Sequence, residues 1–422
     1  MTRIAVRHVV LGVSGGIAGY KACTIARRLT EAGVLVDVVM SSSATEFIRP
    51  LTFEALTGRP VVTSLWDHGR ALDHVRMGRA ETDLIIVAPA TAQLIARMAQ
   101  GMADDFLTAL LLARKAPVLL CPAMNDVMYS RAETQENLKK LGNRQAAIGN
   151  RGSAADSRFP IPDSRITILG PATGPLAHGE GEGPGRMVEP EEIVAHVERL
   201  LRSAAPFAGK HIVVTAGPTR EAMDPVRVMT NRSSGRMGFE LARAAWLRDA
   251  TVTLISGPTQ FEPPIGVKVV RIESTQELQD AVSQSLSSAD ALIMAAAPAD
   301  YKPSTTADRK VKRDAGPVTL TLEPTGDVLA STAYWRRSSA VMVGFALETH
   351  DMLVSAREKL DKKQLDLIVA NSATEPGSGP ESATNKVTLV TATAAEELPL
   401  MPKAEVAEAI LDRIETLMAA RA

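Results

Sequence analysis

The stretch Val213–Gly238, VVTAGPTREAMDPVRVMTNRSSGRMG, decides how this chain reads. Apolar residues run into a Gly-Pro turn and a polar loop. Asn231-Arg-Ser-Ser-Gly-Arg-Met-Gly238 then leads into a segment where Leu241, Ala242, Ala245 and Trp246 recur at helical spacing. A strand ending in small residues before a helix offers backbone N–H groups to phosphate. The stretch is therefore expected to open a domain in the second half of the chain, built round a nucleotide or dinucleotide pocket.

With 422 residues the chain is long for one core, and two domains of roughly 200 residues each are expected. Apolar residues make up 45% and the formal net charge is −1, which describes a globular protein with no electrostatic call for nucleic acid or an anionic membrane. Aromatic residues are only 4%, too few for a base-stacking platform. The two cysteines, Cys23 and Cys121, lie far apart in apolar contexts. That suits a reducing cytoplasm and excludes a disulfide scaffold or a cysteine-based zinc site. The start, MTRIAVRHVVLGVSGG, reads as a first strand and not as a cleaved signal, and no run approaches the ~20 apolar residues of a membrane span.

The first half opens in the same style. Val9–Val13 is expected as a buried strand, Ser14-Gly15-Gly16-Ile17 as a turn, Ala18–Ala32 as a helix closing at Gly33, and Leu35–Met40 as a strand ending in Ser41-Ser42-Ser43. This is the doubly wound βαβ pattern. It lacks G-x-G-x-x-G and an acidic residue at the end of the second strand, so an NAD site is disfavoured and a mononucleotide such as a flavin phosphate fits better. Leu84–Thr91 and Pro117–Pro122 are the next strands, the latter running into Ala123-Met-Asn-Asp-Val-Met128. Ser14, Ser41, Thr91 and Asn125 should converge on one crevice. His74 precedes the third strand and is either a half-exposed helix residue or a group reaching that crevice; Met124 and Met128 read most simply as core. Residues 142–164 break the pattern and are expected as an irregular insertion. Ala177–Met187, rich in glycine, is either a flexible spacer or a flap that orders over a ligand.

Beyond the opening stretch, Thr251–Ser256, Val267–Ile272, Ala291–Ala297, Val341–Phe345, Leu365–Ala370 and Val387–Val390 are expected strands. A terminal amphipathic helix carries Val406, Ile410, Ile414 and Leu417. Asp300 follows one strand, Lys310 lies ten residues later, and Lys359 and Lys363 sit one helical turn apart, a set that suits a polyphosphate. The fold class is thus α/β, with two doubly wound Rossmann-like domains: a flavodoxin-like one over 1–200, a linker over 201–209, and a nucleotide-binding one over 210–422.

Two motifs carry a family resemblance. Pro122-Ala-Met-Asn-Asp-Val-Met128 resembles the Pro-x-Met-Asn-x-x-Met signature of phosphopantothenoylcysteine decarboxylases. Thr215-Ala-Gly-Pro-Thr-Arg-Glu221 with Asn231-Arg-Ser-Ser-Gly235 resembles that of phosphopantothenate–cysteine ligases. In this order they resemble the bifunctional decarboxylase/ligase family of coenzyme A biosynthesis. The resemblance implies FMN in the first domain, near Ser14, Gly15, Ser41 and Thr91, with His74 catalytic, Asn125 on the substrate carboxylate and Met128 completing the motif. The family reaction oxidises the substrate thiol, loses CO₂ and re-reduces the enethiolate. In the second domain it implies CTP- and Mg²⁺-dependent activation of 4′-phosphopantothenate as an acyl-CMP, then attack by the amine of L-cysteine. Asn231 matches the residue beside the acyl phosphate and Arg227 the one aiding the second step. Ala295, Ala296, Asp300, Lys310, Gly326, Asp327, Phe345, Lys359 and Lys363 match the nucleotide pocket, while the metal ligands stay unassigned. Trimeric flavin domains with sites at subunit contacts, and dimeric ligase domains, are implied, giving a dodecamer if both hold. One departure stands out: the family flap often reads Ala-Cys-Gly, whereas here it reads Ala177-His178-Gly179. Either His178 donates the proton or the reductive step is lost, and the latter leaves a non-catalytic binding or regulatory flavoprotein joined to an active ligase as the alternative.

Overall fold

The computed structural model describes residues 7–66, 72–79, 82–142, 166–177, 179, 181–202, 204–312, 319–348, 352–372, 377–379 and 381–421. The chain divides into two compact units, Met1–Leu201 and Arg202–Ala422.

In the first unit, β1 (His8–Val13), β2 (Leu35–Met40), β3 (Leu84–Ala90), β4 (Val118–Pro122) and β5 (Ile166–Ile168) form one parallel sheet in the order β2-β1-β3-β4-β5. Every residue of β3 and β4 is buried, as parallel strands covered on both faces must be. The helices doing the covering are α1 (Gly19–Glu31), α2 (Pro50–Thr57), α3 (Asp73–Arg79), α4 (Ala92–Gln100), α5 (Phe106–Ala113), α6 (Asp126–Ser130), α7 (Ala132–Gly142) and α8 (Pro190–Leu200). Ile25 and Leu29 of α1 with Ile193 and Val197 of α8 pack on one face. Leu94 and Ile95 of α4, Leu107 and Leu110 of α5 and Leu138 of α7 pack on the other. The expected strands and first helix are therefore present within a residue or two of their expected ends. The glycine-rich segment contributes to an antiparallel hairpin, β6 (Ala172–Pro175) with β7 (Glu182–Arg186), so the flap reading prevails over the flexible spacer. The expected insertion lies, from residue 143 on, outside the described residues.

In the second unit, strands β8 (His211–Ala216), β9 (Arg220–Ala222), β10 (Val228–Thr230), β11 (Thr251–Ser256), β12 (Lys268–Arg271), β13 (Ala291–Met294), β14 (Tyr301–Pro303), β15 (Leu322–Pro324), β16 (Val341–Glu348), β17 (Leu367–Ser372), β18 (Val387–Val390) and β19 (Ala395–Glu397) alternate with helices. The main sheet runs β12-β11-β8-β13-β16-β17-β18-β19, parallel through β17 and antiparallel beyond. Separate ribbons pair β9 with β10 and β14 with β15. The helices are α9 (Arg236–Leu247), α10 (Thr275–Leu286), α11 (Val328–Ser331), α12 (Met352–Lys362) and α13 (Lys403–Ala419). β13 stops at Met294, short of the expected Ala297. The Ala296 N–H turns to Thr215 Oγ1 (3.0 Å) and the Ala297 N–H to Gly217 O (2.9 Å), and Pro298 has no N–H to extend the ladder. Buried Arg248, just past α9, holds α13 by bonds to Glu408 (2.7 Å) and Asp412 (2.6 Å). Within the stretch expected as linker, Phe207 is fully buried and its N–H donates to Arg248 O at 3.1 Å. Among the described residues no helix is long and apolar enough to cross a membrane.

On β2, Asp37 receives His8 Nε2 at 2.7 Å and Arg59 Nε at 2.6 Å. Burial alone would raise its carboxyl, but the hydrogen bonds from His8 and Arg59 prevail and bring it to about 2. The pairing therefore stabilises the first unit fully above the ordinary Asp range, near about 3.9, and the contribution is lost as pH falls through about 2. Asp37→Asn is expected to destabilise the protein by about 1–3 kcal/mol at pH 7. Urea denaturation across the acid range should also show a flatter slope than wild type between these two values.

Candidate functional site

In the first unit the crevice is built by turns at the carboxyl ends of β1, β2, β3 and β4. Ser14 Oγ donates to Pro89 O (2.8 Å) and accepts the Thr91 N–H (3.1 Å). The Ser41 N–H donates to Val13 O (3.0 Å), and Ser41 Oγ accepts from the Ala44 N–H (3.3 Å). The Ser14 hydroxyl thus ties two turns together, while the Ser41 hydroxyl caps its own turn and its backbone N–H makes the link to β1. A Cβ on Gly15 would stand 2.3 Å from Ser43 Cβ, so only glycine lets these two turns touch.

Beside them lies a cavity of about 700 Å³, walled by Gly15, Gly16, Thr91, Met124, Asn125 and Met128, and by the flap at Pro175–Ala177 and Gly185–Met187. Of the four residues expected at this crevice, Thr91 and Asn125 stand on the wall, whereas Ser14, bonded to Thr91, and Ser41, bonded to Val13, do not line it. Asn125 caps α6 through Oδ1, which accepts the Val127 N–H at 2.8 Å. Met124 packs partly against the core, as expected. Met128 does not: it is 48% exposed and stands on the cavity wall, against the core reading.

The flap is fastened at its returning strand. The Met124 N–H donates to Gly185 O (2.9 Å), and a Cβ on Gly185, whose φ is +150°, would meet Met124 O at 2.2 Å. Lys21, buried on α1, donates to Met187 O (2.8 Å) and pairs with Glu189 (3.1 Å), which Arg186 also engages. Lys21, Arg186 and Glu189 were invisible as site residues in the sequence, where Lys21 is one lysine in an amphipathic helix. His178 lies outside the described residues. Neither cysteine lines the cavity, and burial pushes the Cys121 thiol far up. His74 does not line its own chain's cavity either. It sits on α3 with its ring edge-on to Phe106 at 6.1 Å, and its Nδ1 is buried with no hydrogen bond.

In the second unit the opening stretch becomes the turn after β8, the β9–β10 ribbon and the start of α9. A Cβ on Gly238 would stand 2.5 Å from Ala216 Cβ, and Gly235, at φ +78°, would crowd Gly217 N at 3.0 Å. The glycines serve close packing of helix on strand. Asn231, exposed on the far side of the ribbon, donates from Nδ2 to Pro298 O at 2.8 Å. Thr219 Oγ1 accepts the Ala299 N–H (2.9 Å), and the Thr325 N–H donates to Asp300 O (2.9 Å). Asn231, Ala295–Asp300 and Gly326–Asp327 are thereby drawn into one strip. Phe345 follows Gly344, the partner of Met294, so it is level with Ala295. Lys363, whose N–H donates to Lys359 O (3.0 Å), pairs through Nζ with Asp327 at 3.0 Å. Burial would raise the Asp327 carboxyl, but the bond from Lys363 lowers it. Arg227 pairs with Asp224 (2.9 Å) and reaches the carbonyl of Val311, beside exposed Lys310. Beyond the strip, a cleft of about 340 Å³ is lined by Glu221, Gln279, Lys302, Thr325 and Gly326. Asp224 and Thr219 were not singled out in the sequence, although Asp-Pro is a turn signal that pointed to the first. Among the described residues, no group of three His, Cys, Asp or Glu side chains is arranged to hold a metal.

Compared with known proteins, residues 2–202 match the Flavoprotein family model and residues 207–418 the DNA/pantothenate metabolism flavoprotein C-terminal domain. The coenzyme A biosynthesis bifunctional protein CoaBC of Vibrio vulnificus is 44% identical over 422 residues, covering 99% of this chain and 100% of that one. The protein of the same name from Bacillus subtilis is 41% identical over 416 residues, covering 97% of each. Among solved structures, the C-terminal domain of a CoaBC protein aligns with a TM-score of 0.44 at 38% identity, covering 51% of this chain and 100% of that one.

Replacing Gly185 by alanine should prise the flap from Met124. In hydrogen-exchange mass spectrometry, the peptide spanning 173–187 of Gly185→Ala is expected to exchange at least tenfold faster while the β1–β4 peptides stay protected. Equal protection would mean the flap is held elsewhere.

Proposed function

The chain belongs to the family of bifunctional coenzyme A biosynthesis proteins, and on that premise we propose how its residues divide the work. The protein is an enzyme of coenzyme A biosynthesis with a flavoprotein decarboxylase function and a phosphopantothenate–cysteine ligase function. Residues 1–200 carry the first and 210–422 the second.

In the first unit the apposed turns at Gly15 and Ser43, with Thr91, fit a flavin phosphate and ring. Their backbone groups stand at strand ends beside a cavity large enough for a mononucleotide, and a side chain at Gly15 would force the two turns apart. FMN bound there would supply the two-electron oxidation and re-reduction of the substrate. The residues of the chain bind and shield: Asn125 orients the substrate carboxylate, Met128 presents an apolar wall where CO₂ departs, and the flap excludes water. His74 acts on the substrate from a second copy of the chain. Its place off its own cavity wall supports a site completed at a subunit contact, as do exposed Ile17 (69%), Trp66 (88%) and Leu72 (74%). Trimeric flavin units and dimeric ligase units are what the family resemblance implies, and a dodecamer follows if both hold. His178, in place of the family cysteine, protonates the enethiolate.

In the second unit the carboxylate of 4′-phosphopantothenate attacks the α-phosphorus of CTP. The bond to the β-phosphate oxygen breaks, pyrophosphate leaves and an acyl-CMP remains. The amine of L-cysteine then attacks the acyl carbon, expelling CMP and giving up a proton. Lys310, Lys359 and Lys363 stabilise charge on the departing phosphoryl oxygens, and Mg²⁺ bound with CTP would add Lewis-acid stabilisation of the same charge. Asp300, Phe345, Ala295, Ala296 and Gly326–Asp327 hold the nucleotide, Asn231 the acyl phosphate, and Arg227 aids aminolysis. The observation that carries this reading is the strip joining Asn231, Ala295–Asp300 and Gly326–Asp327. A cytoplasmic location suits both substrates.

Incubation with 4′-phosphopantothenate, L-cysteine, CTP and Mg²⁺ is expected to give CMP, pyrophosphate, CO₂ and 4′-phosphopantetheine from a yellow protein. Cysteine conjugate without CO₂ would leave the ligase and sink the decarboxylase. No CMP would sink the ligase reading. His74→Asn should abolish CO₂ release and spare pyrophosphate release, while Lys310→Ala should slow pyrophosphate release about 10²-fold.

A further inference from the structure

The β9–β10 turn, Met223–Arg227, and the segment 304–312 are far apart in the chain, yet several bonds join them. The Thr306 hydroxyl donates to Ala222 O (3.1 Å), the Ala307 N–H to Met223 O (3.0 Å), and Arg227 Nη2 to Val311 O. At the centre is one carboxylate. Asp224 Oδ1 accepts the N–H groups of Val226 (2.8 Å) and Arg227 (2.9 Å). Its Oδ2 accepts the Val311 N–H (3.2 Å) and the Arg227 guanidinium (2.9 Å). The side chain is 1% exposed, whereas that of Arg227 is 46% exposed. Backbone N–H donation, from Val226 first and then Arg227 and Val311, together with the Arg227 charge, lowers the Asp224 carboxyl.

We propose that Asp224 is a positioning residue of the ligase that sets Arg227 and the Lys310–Val311 segment in one fixed relation, so that nucleotide activation and aminolysis share a single scaffold. The geometry behind it is specific. One oxygen shapes the turn from which Arg227 projects. The other holds both the Arg227 guanidinium and the backbone next to Lys310. Asp224 and the Arg227 guanidinium it holds are the side chains that bond to both segments at once, and of the two only Asp224 is buried. A carboxylate, with lone pairs to spare on each oxygen, accepts the three N–H groups and pairs with the guanidinium by charge; an amide oxygen in its place accepts from one side only, and its NH₂ faces donors. Losing it frees the guanidinium and the segment together, a loss that depends on the reading of Arg227 and Lys310 given above.

The two half-reactions separate the contributions. Pyrophosphate release from CTP and 4′-phosphopantothenate without cysteine reports the Lys310 side; single-turnover consumption of the preformed acyl-CMP by L-cysteine reports the Arg227 side. Asp224→Asn is expected to raise the KM for CTP at least fivefold and to slow aminolysis at least tenfold, with little change in Tm. The Asp224→Asn/Arg227→Ala double variant should lose no more aminolysis than Arg227→Ala alone. Asp224→Glu, which keeps the charge, should recover part of both steps. Wild-type behaviour of Asp224→Asn in both steps would overturn the coupling, as would effects additive with Arg227→Ala. If Asp224→Asn does not fold, full activity in Asp224→Glu with unchanged KM would also count against it, since the longer side chain displaces the carboxylate. Absence of pyrophosphate release from the wild type would fail the ligase reading itself, independently of Asp224.

Discussion

A parallel strand cannot pair with its neighbour until the chain has crossed back over the sheet, so all strands of such a sheet end at the same edge. Both units obey this constraint, and both candidate sites follow from it. In the first, the turns after β1, β2, β3 and β4 meet at one rim. In the second, the turn after β8 meets the end of β13. Where two turns must touch, a side chain is excluded: Gly15 lies against Ser43, and Gly235 against Gly217.

Turns at a buried rim leave backbone N–H and C=O groups without ladder partners, and burying these unpaired is unfavourable. Small hydroxyl side chains answer that need. Ser14 in the first unit and Thr215 and Thr219 in the second bond neighbouring turns, and Ser41 caps its own, so none of them points its bond into the space above. The consequence is functional. A crevice whose own groups are already satisfied keeps its shape before a ligand arrives, which is the condition for presenting preorganised N–H groups to a phosphate.

Charge follows the same logic. Two of the cations singled out in the second unit are already held: Lys363 by Asp327 and Arg227 by Asp224. Each pairing lowers the cost of fixing a long side chain in place, and each weakens the attraction that a free cation would exert. Lys310 stays exposed on a segment whose backbone is anchored next door at Val311. In the flavoprotein unit buried Lys21, paired with the exposed Glu189, holds the foot of the flap in a comparable way. Charge in this protein largely fixes backbone segments that carry the reactive groups.

The sequence by itself determined the periodic elements, because strand and helix burial write apolar spacing directly into the chain. Val9–Val13, Leu35–Met40 and Thr251–Ser256 needed no tertiary information. The two signatures at Pro122–Met128 and Thr215–Gly235 likewise pointed to the family and to Asn125 and Asn231. What only the tertiary structure decided lies in contacts between distant residues. Sequence spacing could not tell that Met128 stands exposed on a cavity wall while Met124, on the same wall, also packs against the core, or that Lys21 meets a carbonyl 166 residues away. Nor could it reveal that Asp224 joins two loops, or that His74 stands off its own cavity wall. Periodicity records which side of an element is buried, but not which distant backbone group a polar side chain will satisfy, since that depends on how the whole sheet edge is assembled.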